Sequence, residues 1–370
     1  MSELTLSSRE RVFKALDHKI PDRVPLDDAW IQHIRMDTWD RIKQYFDTKD
    51  DETTRHRLGL DFRYFAVDTS DEFKEKARLY YPLGLFKPVT QNSFEDEWGV
   101  RYQTTSTGLH WRYVHHPLAE VEDPDEFEFP GLDDPGRFDN AAKTAQLYKD
   151  RYVLQGCLNQ TLFEWSWALR GFNRFMRDLY ANESFVNKLL DKLLSYRIET
   201  GKRYIEIGAD IIQLGDDFGM QTGMIVPPKL WRKYFKPRMK ALINDLRKYS
   251  HNNVYIFCHS DGNIEPIVPE LIEIGVQILN PIQPECMDPV EIKMKYGDKL
   301  VLHGTISVQT TLPFSTAEDV KREVISRIEK CGRDGGLVIA PTHAPQPPPH
   351  TPIENIIVMY RTAKKCRLQR

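Results

Sequence analysis

The chain has 370 residues, of which 41% are hydrophobic and 28% charged, and its formal net charge is -3. Such a composition is ordinary for a globular protein, and the small negative charge gives no electrostatic case for nucleic acid. No apolar run approaches the ~18 residues that a membrane span requires. The five cysteines include no CxxC pair, and nothing at the N-terminus reads as a secretory signal. We therefore expect a soluble cytoplasmic protein with reduced thiols.

The first elements are short. Ser7 and Glu10 have the spacing of a capping box, which predicts a helix over residues 9–16. Residues 23–27 read as a strand that ends in acids, although Pro25 is tolerated only near a strand start or edge. A charged helical stretch over 36–53 follows, and then a second strand over 62–67.

Residues 70–135 differ in character from the rest of the chain. Two aromatic and β-branched stretches, 96–103 and 109–116, flank a Ser-Thr-Gly turn at 106–108. This pattern predicts an antiparallel β-hairpin insertion near residues 90–120.

From residue 150 strands and helices alternate regularly, which is typical of βαβ units and a parallel sheet. The six strand candidates here are 152–157, 210–215, 254–258, 276–280, 300–303 and 337–340. The helical stretches between them are 173–178, 187–201, 231–249, 264–274, 289–296 and 316–331. With the two early strands the count reaches eight. We predict an α/β fold, a single (β/α)8 TIM-type barrel over 1–370 that carries the 70–135 insertion.

The carboxyl ends of all strands in such a barrel meet on one face, where the functional site lies. The residues at those ends are Asp27, Asp28, Asp68, Asn159, Gln160, Asp216, Asp217, His259, Asp261, Gln283, His303 and His343. Polar groups that follow buried strands must be paired or functional, because an unpaired buried polar group costs ~1–3 kcal/mol.

Three of these residues are candidate ligands of one metal ion. His259 and Asp261 stand two apart in a His-x-Asp-Gly turn, and His343 follows the last strand. Two imidazoles and one carboxylate that leave a fourth position open are the arrangement of a catalytic zinc. The alternative is that both histidines are hydrogen-bonded core or loop residues.

Several acids and one more histidine are candidates for catalysis or substrate binding. Glu164 lies between aromatic residues, where desolvation raises a carboxyl pKa, although an ion pair with Arg170 is the alternative. Asp216 and Asp217 form either a like-charge pair that holds a proton or a helix cap at Asp217. His303 follows an apolar strand directly, which favours a hydrogen-bonded lining residue over a ligand.

At these residues the sequence resembles the uroporphyrinogen decarboxylase superfamily, and within it the branch of cobalamin-dependent methyltransferases. The stretches that carry the resemblance are residues 8–25, 97–99, 164–171, 215–221, the His259 turn, 303–304 and 351–355. The resemblance implies the barrel fold, a methyl-transfer activity and a homodimer.

Two departures from the family pattern narrow the expectation. Porphyrinogen decarboxylases carry an arginine-containing signature after the first strand, whereas residues 26–30 here read Leu-Asp-Asp-Ala-Trp. Thiol-methylating members use a His-x-Cys-Gly turn and a later cysteine, which correspond here to Asp261 and His343. The ligands change from N,S,S to N,O,N, which leaves a harder and more Lewis-acidic zinc that suits an oxygen leaving group.

The resulting hypothesis is a zinc-dependent methyltransferase that moves a methyl group from an O-methyl substrate, such as a methoxylated aromatic, to cobalamin. The chain has no DxHxxG corrinoid motif, so the cobalamin is expected on a separate corrinoid protein. Glu164 and Asp216 are the predicted catalytic acids. The predicted substrate-binding residues are Trp165, Trp167, Asp217, Phe218 and His303. The alternatives are a metal-independent decarboxylase or lyase of a small acid, and a non-catalytic small-molecule binding protein.

Overall fold

The computed structural model describes residues 6–29, 36–80, 84–105, 111–345 and 350–368. Within these ranges a curled sheet of seven parallel strands runs in chain order around the centre of the molecule. Its strands are β1 (Phe62–Phe65), β7 (Val153–Leu158), β8 (Ile211–Gly215), β11 (Tyr255–His259), β12 (Ile278–Asn280), β13 (Val301–His303) and β14 (Leu337–Val338). The remaining strands, β2–β6, β9 and β10, form two separate antiparallel sheets. Helices surround the sheet, so the predicted TIM-type barrel is confirmed.

The first predicted strand closes the ring between β14 and β1, but it is reduced to one bridged residue. Leu26 forms a parallel bridge with Ile339. On one side the Asp27 N–H donates to the Ile339 carbonyl at 3.0 Å, and on the other the Asp61 N–H donates to the Leu26 carbonyl at 2.9 Å. Pro25 has no N–H to offer, and a regular strand is not sustained across it.

Helices follow most of the strands. They are α1 (Ser8–Leu16), α2 (Met36–Phe46), α3 (Asp51–Leu58), α4 (Asp71–Lys76), α5 (Asp139–Tyr148), α6 (Phe163–Arg170), α7 (Phe172–Ala181), α8 (Glu183–Ile207), α9 (Lys236–Tyr249), α10 (Val268–Ile274), α11 (Pro289–Tyr296), α12 (Thr311–Phe314), α13 (Ala317–Cys331) and α14 (Ile353–Lys365). A short turn, Pro228–Leu230, and a π-helical turn, Trp231–Phe235, lead into α9. The capping box of Ser7 and Glu10 is present at α1.

The helical stretch predicted over 36–53 was wrong in one respect, since it is two helices. Asp47 has a positive φ of 50°, which ends α2. Asp50 then caps α3 by accepting from the Thr53 N–H at 2.7 Å. Aspartate tolerates the left-handed region and is a strong helix N-cap, and both properties favour a break here.

The predicted hairpin is part of a larger antiparallel sheet of five strands. These are β2 (Arg78–Tyr80), β3 (Gly84–Thr90), β4 (Ser93–Glu95), β5 (Arg101–Thr104) and β6 (Trp111–His115). The predicted pair corresponds to β5 and β6, and the predicted turn at 106–108 lies outside the described residues. A two-residue pair, β9 (Gly219–Met220) and β10 (Gly223–Met224), follows β8.

One end of the barrel is filled with apolar side chains. Val12 and Leu16 of α1 pack into a cluster contributed by the inward residues near the strand starts. That cluster contains Phe62, Val153, Ile211, Phe257, Ile278, Val301 and Val338. Polar side chains therefore collect at the opposite end, where the strands finish. Among the helices of the described residues, none is long and apolar enough to cross a membrane.

Candidate functional site

The centre of the site consists of two polar turns that follow neighbouring strands. β8 and β11 are parallel partners, and His259 at the end of β11 stands opposite Gly215 at the end of β8. The next residues, 216–218 and 260–262, therefore run side by side. Glycines allow this approach, because a Cβ on Gly262 would lie 2.4 Å from the Gly219 carbonyl carbon. Gly262 also has a φ of +83°, a conformation that side chains disfavour.

Three side chains from these turns form a metal-competent group. One ligand atom from each of Asp217, His259 and Asp261 lies within 4.8 Å of the other two. The Nε2 of His259 is 3.6 Å from Oδ1 of Asp217, and that oxygen also accepts from the Asp261 N–H at 2.8 Å. The Gln283 side chain donates to Oδ1 of Asp261 at 3.2 Å. Of the predicted ligands, His259 and Asp261 are thus brought together.

His343, the third predicted ligand, lies close to this group without belonging to it. Burial raises the pKa of Asp261, and His343 is near enough to oppose that rise. Its ring nitrogens are not within 4.8 Å of both other predicted ligands. Asp217, predicted to bind substrate, takes the third place in the compact group. The sequence contains a signal for Asp217, because it lies two residues beyond the end of β8, beside the strand β11 that His259 ends.

Two more acids complete a cluster of four carboxyl groups. Glu164 is partly buried, and its pKa is raised well above the ordinary value, first by that burial and then by the charges of Asp217 and Asp216. Burial raises the pKa of Asp216 to about 7, against the opposing effect of backbone N–H groups. Asp216 caps helix α6, because its carboxylate accepts from the N–H groups of Leu162 and Glu164 at 2.8 and 2.9 Å.

The alternative of an ion pair between Glu164 and Arg170 does not occur. The Arg170 guanidinium instead contacts Asp178 at 2.8 Å and the carbonyls of Leu118 and Val121. Across the described ranges, no lysine or arginine forms an ion pair with any of the four acids. Four charged carboxyl groups this close in a partly buried site repel one another, and a balancing cation or protons relieve that repulsion. The donor set and this charge excess fit a divalent cation.

The antiparallel sheet supplies aromatic side chains to the rim of the site. Trp165 stacks on Trp98, with ring centroids 4.5 Å apart, and Trp167 meets Tyr113 edge-on at 4.8 Å. Phe218 is 1% exposed and stacks on Phe163 in the core, so it packs more deeply than the tryptophans.

Tyr113 was missed by the sequence reasoning. Burial raises the pKa of Tyr113, and Glu164 lies near enough for its charge to raise that pKa further. Tyr113 belongs to the aromatic run 109–116, whose pattern predicts a strand but does not indicate a role in the site. Beside Tyr113 and Trp167 lies a cavity of about 590 Å³ that also contacts His116 and Arg177.

His303 is fully buried and both its ring nitrogens face protein groups. Nδ1 is 2.8 Å from the Asn280 amide nitrogen, and Nε2 is 2.8 Å from Oδ2 of Asp27. The structure thus places His303 behind the metal-competent group rather than on an open wall. Asn280 was missed, although it ends a predicted strand as the other site residues do.

These features define an α/β barrel that carries an acidic, metal-competent site at the carboxyl ends of its strands. The chain belongs to the uroporphyrinogen decarboxylase (URO-D) family, whose pattern its residues 113–366 match. Comparison with curated proteins found no match.

Of two similar solved structures, one supports the likeness in fold. A methyltransferase from Methanosarcina mazei is 16% identical, with a TM-score of 0.67 that covers 97% of this chain and 99% of that one. A putative vitamin-B12 independent methionine synthase from Listeria monocytogenes is 13% identical over 93% of this chain and 96% of that one. Its TM-score of 0.45 is too low to support an inference.

Proposed function

We propose that this protein is a zinc-dependent methyltransferase of the cobalamin-dependent branch, which moves a methyl group from an O-methyl substrate to a corrinoid on a separate protein. The observation that carries the proposal is the compact group of Asp217, His259 and Asp261, inside a cluster of acids that is partly shielded from solvent. A substrate with a methoxylated aromatic ring suits the tryptophans at its rim. The likeness to a methyltransferase fold supports the reaction class.

The proposed zinc ligands are His259 and Asp261, with Asp217 and the sequence-predicted His343 as candidates for the third position. A set of three protein ligands leaves one position open for substrate. Oxygen and nitrogen donors make a hard site, which favours an oxygen substituent over a thiol. A zinc ion held there supplies Lewis acidity to the substrate oxygen that loses its methyl group.

The chain's own residues have distinct tasks in this proposal. Glu164 donates the proton that the departing substrate oxygen takes up, because burial and neighbouring acids raise the pKa of its carboxyl group. Asp216 is engaged as the α6 cap and so fixes the backbone that presents Glu164. Trp165 and Trp167 orient an apolar ring and exclude water from it.

Metal content and turnover test the proposal together. We expect about one zinc per chain in protein purified without chelator, and loss of zinc in His259→Ala. His56→Ala, at an exposed position of α3, is the matched control and should keep the metal. With methoxylated aromatics and cob(I)alamin, the zinc-bound protein should release the demethylated phenol and form methylcobalamin. Metal-free wild-type protein, or turnover unchanged by His259→Ala, would contradict the proposal.

A decarboxylase of a small acid is the second candidate, and the raised pKa values of Glu164 and Asp216 favour it. A protonated carboxyl group at neutral pH is a suitable acid for quenching the carbanion left by loss of CO₂. The measurement is CO₂ release from small carboxylic acids in the absence of metal and corrinoid. Release that survives chelation and is lost in Glu164→Gln would establish this activity instead.

A further inference from the structure

A chain of buried polar side chains runs from His259 across the barrel to the opposite strand. The His259 Nδ1 is 2.6 Å from Oδ1 of Asn280. The Asn280 amide nitrogen is 2.8 Å from Nδ1 of His303, and the His303 Nε2 is 2.8 Å from Asp27. Asn280 and His303 are 0% exposed and Asp27 is 1% exposed, so water does not take part in these contacts.

The orientation of the Asn280 amide is fixed by an acceptor that cannot change role. Its nitrogen also donates to the His303 backbone carbonyl at 3.3 Å, and a carbonyl oxygen can only accept. A flipped amide would set two oxygens against each other there. Close packing holds this arrangement, since a Cβ on Gly304 would lie 2.7 Å from the Asn280 amide nitrogen.

The fixed amide dictates the position of the proton on His259. Because Oδ1 of Asn280 faces the imidazole, His259 must donate from Nδ1, and in the neutral ring Nε2 then carries the lone pair. That Nε2 is the nitrogen on the side of Asp217. The same logic makes Nδ1 of His303 an acceptor and puts its proton on Nε2, toward Asp27. This last contact is close, although its angle lies outside hydrogen-bond geometry.

We propose that Asn280, backed by His303 and Asp27, is a positioning residue that holds His259 in its Nδ1–H tautomer and presents the Nε2 lone pair to a metal ion. The inference rests on the proposed function for the identity of the ligand, but the tautomer belongs to the metal-free protein. Partners behind a metal-binding histidine fix its tautomer and orientation, and their loss typically weakens metal binding ~10–100-fold.

The test is ¹⁵N NMR of the imidazole nitrogens in metal-free, histidine-labelled protein, with His259→Asn to assign the signal. Wild-type His259 should show a protonated Nδ1 and an unprotonated Nε2. Asn280→Leu keeps the size but removes both polar atoms, so the Nε2–H tautomer should appear. Asn280→Asp retains an acceptor toward His259 and should restore the Nδ1–H form, at a cost in stability because its other oxygen faces the His303 carbonyl. Asn253→Leu, at an exposed position, controls for the substitution itself.

Zinc titration of the same proteins supplies the second readout. Asn280→Leu should bind zinc ~10–100-fold more weakly than wild type, while Asn280→Asp should recover most of the affinity. A wild-type His259 protonated at Nε2, or weaker zinc binding with an unchanged tautomer, would overturn the inference. If Asn280→Leu fails to fold, the His259 tautomer and the zinc affinity of wild type and Asn280→Asp still test the inference. Wild type in the Nδ1–H form without zinc affinity would remove the proposed function yet support the positioning role.

Discussion

Single side chains decide which residues hold the proposed metal. Asp217 lies in the compact group with His259 and Asp261, whereas His343 acts on Asp261 from outside it. A ligand that touches the ion contributes more than an outer partner, whose loss costs ~10–100-fold in affinity. We therefore expect Asp217→Asn to reduce zinc affinity by more than that range and His343→Asn by less. Isothermal titration with zinc measures the affinities of the two variants. The reverse order would indicate that His343 is a zinc ligand.

Glu164 differs from the other acids at the residue scale because it makes no cap and holds no proposed ligand position. Its pKa is raised by burial and by nearby carboxylates, which favours the protonated form. Glu164→Gln keeps the shape but removes the transferable proton. We expect a loss of ~10²–10⁴-fold in turnover, the usual contribution of general acid catalysis. Zinc content should stay unchanged. If turnover and zinc content fell equally, Glu164 would have a structural role.

At the scale of elements, the antiparallel sheet meets helix α6 through stacked aromatic rings. Trp98 contacts Trp165 at 4.5 Å and Tyr196 edge-on at 5.1 Å. Trp98→Ala removes both contacts, and we expect a loss of ~2–4 kcal/mol in unfolding free energy, below the upper range for fully buried tryptophans. Urea unfolding measures it. Trp111→Ala, at a residue 39% exposed, is the control and should cost much less.

How much of this arrangement was predictable differs between elements. Strand ends such as His259 and Asp217 were visible because a buried apolar run followed by polar residues marks the mouth of a barrel. The contact of Tyr113 with the Glu164 region was not, since it joins residues 51 positions apart in the numbering through a sheet whose docking depends on tertiary packing. The contacts of Asn280 with His259 and His303 were not predictable for a similar reason, because only the strand register shows which side chains meet.

For the whole molecule, the weakest point of the ring is the short segment around Leu26. Asp61 secures it, accepting from Arg11 at 2.9 Å, from Arg23 at 2.8 Å and from the Leu26 N–H at 2.9 Å. Its side chain is fully buried. Asp61→Asn removes the negative charge that pairs with the buried guanidinium groups of Arg11 and Arg23. Losing one partner of a buried ion pair costs ~3–5 kcal/mol. Unfolding free energy should fall by that amount, whereas exposed Asp298→Asn should stay within ~0.5 kcal/mol.

The same junction makes the stability of the whole fold sensitive to acid. Burial raises the pKa of Asp22, but hydrogen bonds and charge from Arg11 outweigh it and leave that pKa below the ordinary value. The Arg11 Nε lies 2.7 Å from Oδ1 of Asp22. A lowered folded-state pKa contributes stability that is present above the unfolded value and is lost as pH falls through the folded one.

Asp22→Asn should therefore be less stable than wild type at neutral pH, and the difference should shrink as the solution is acidified. Asparagine keeps the size and an acceptor oxygen but does not titrate, so the shrinking difference isolates the carboxylate. The measurement is urea unfolding of both proteins across the acidic range. A difference that stays constant with pH would show that Asp22 acts through packing and hydrogen bonding, without a contribution from its charge.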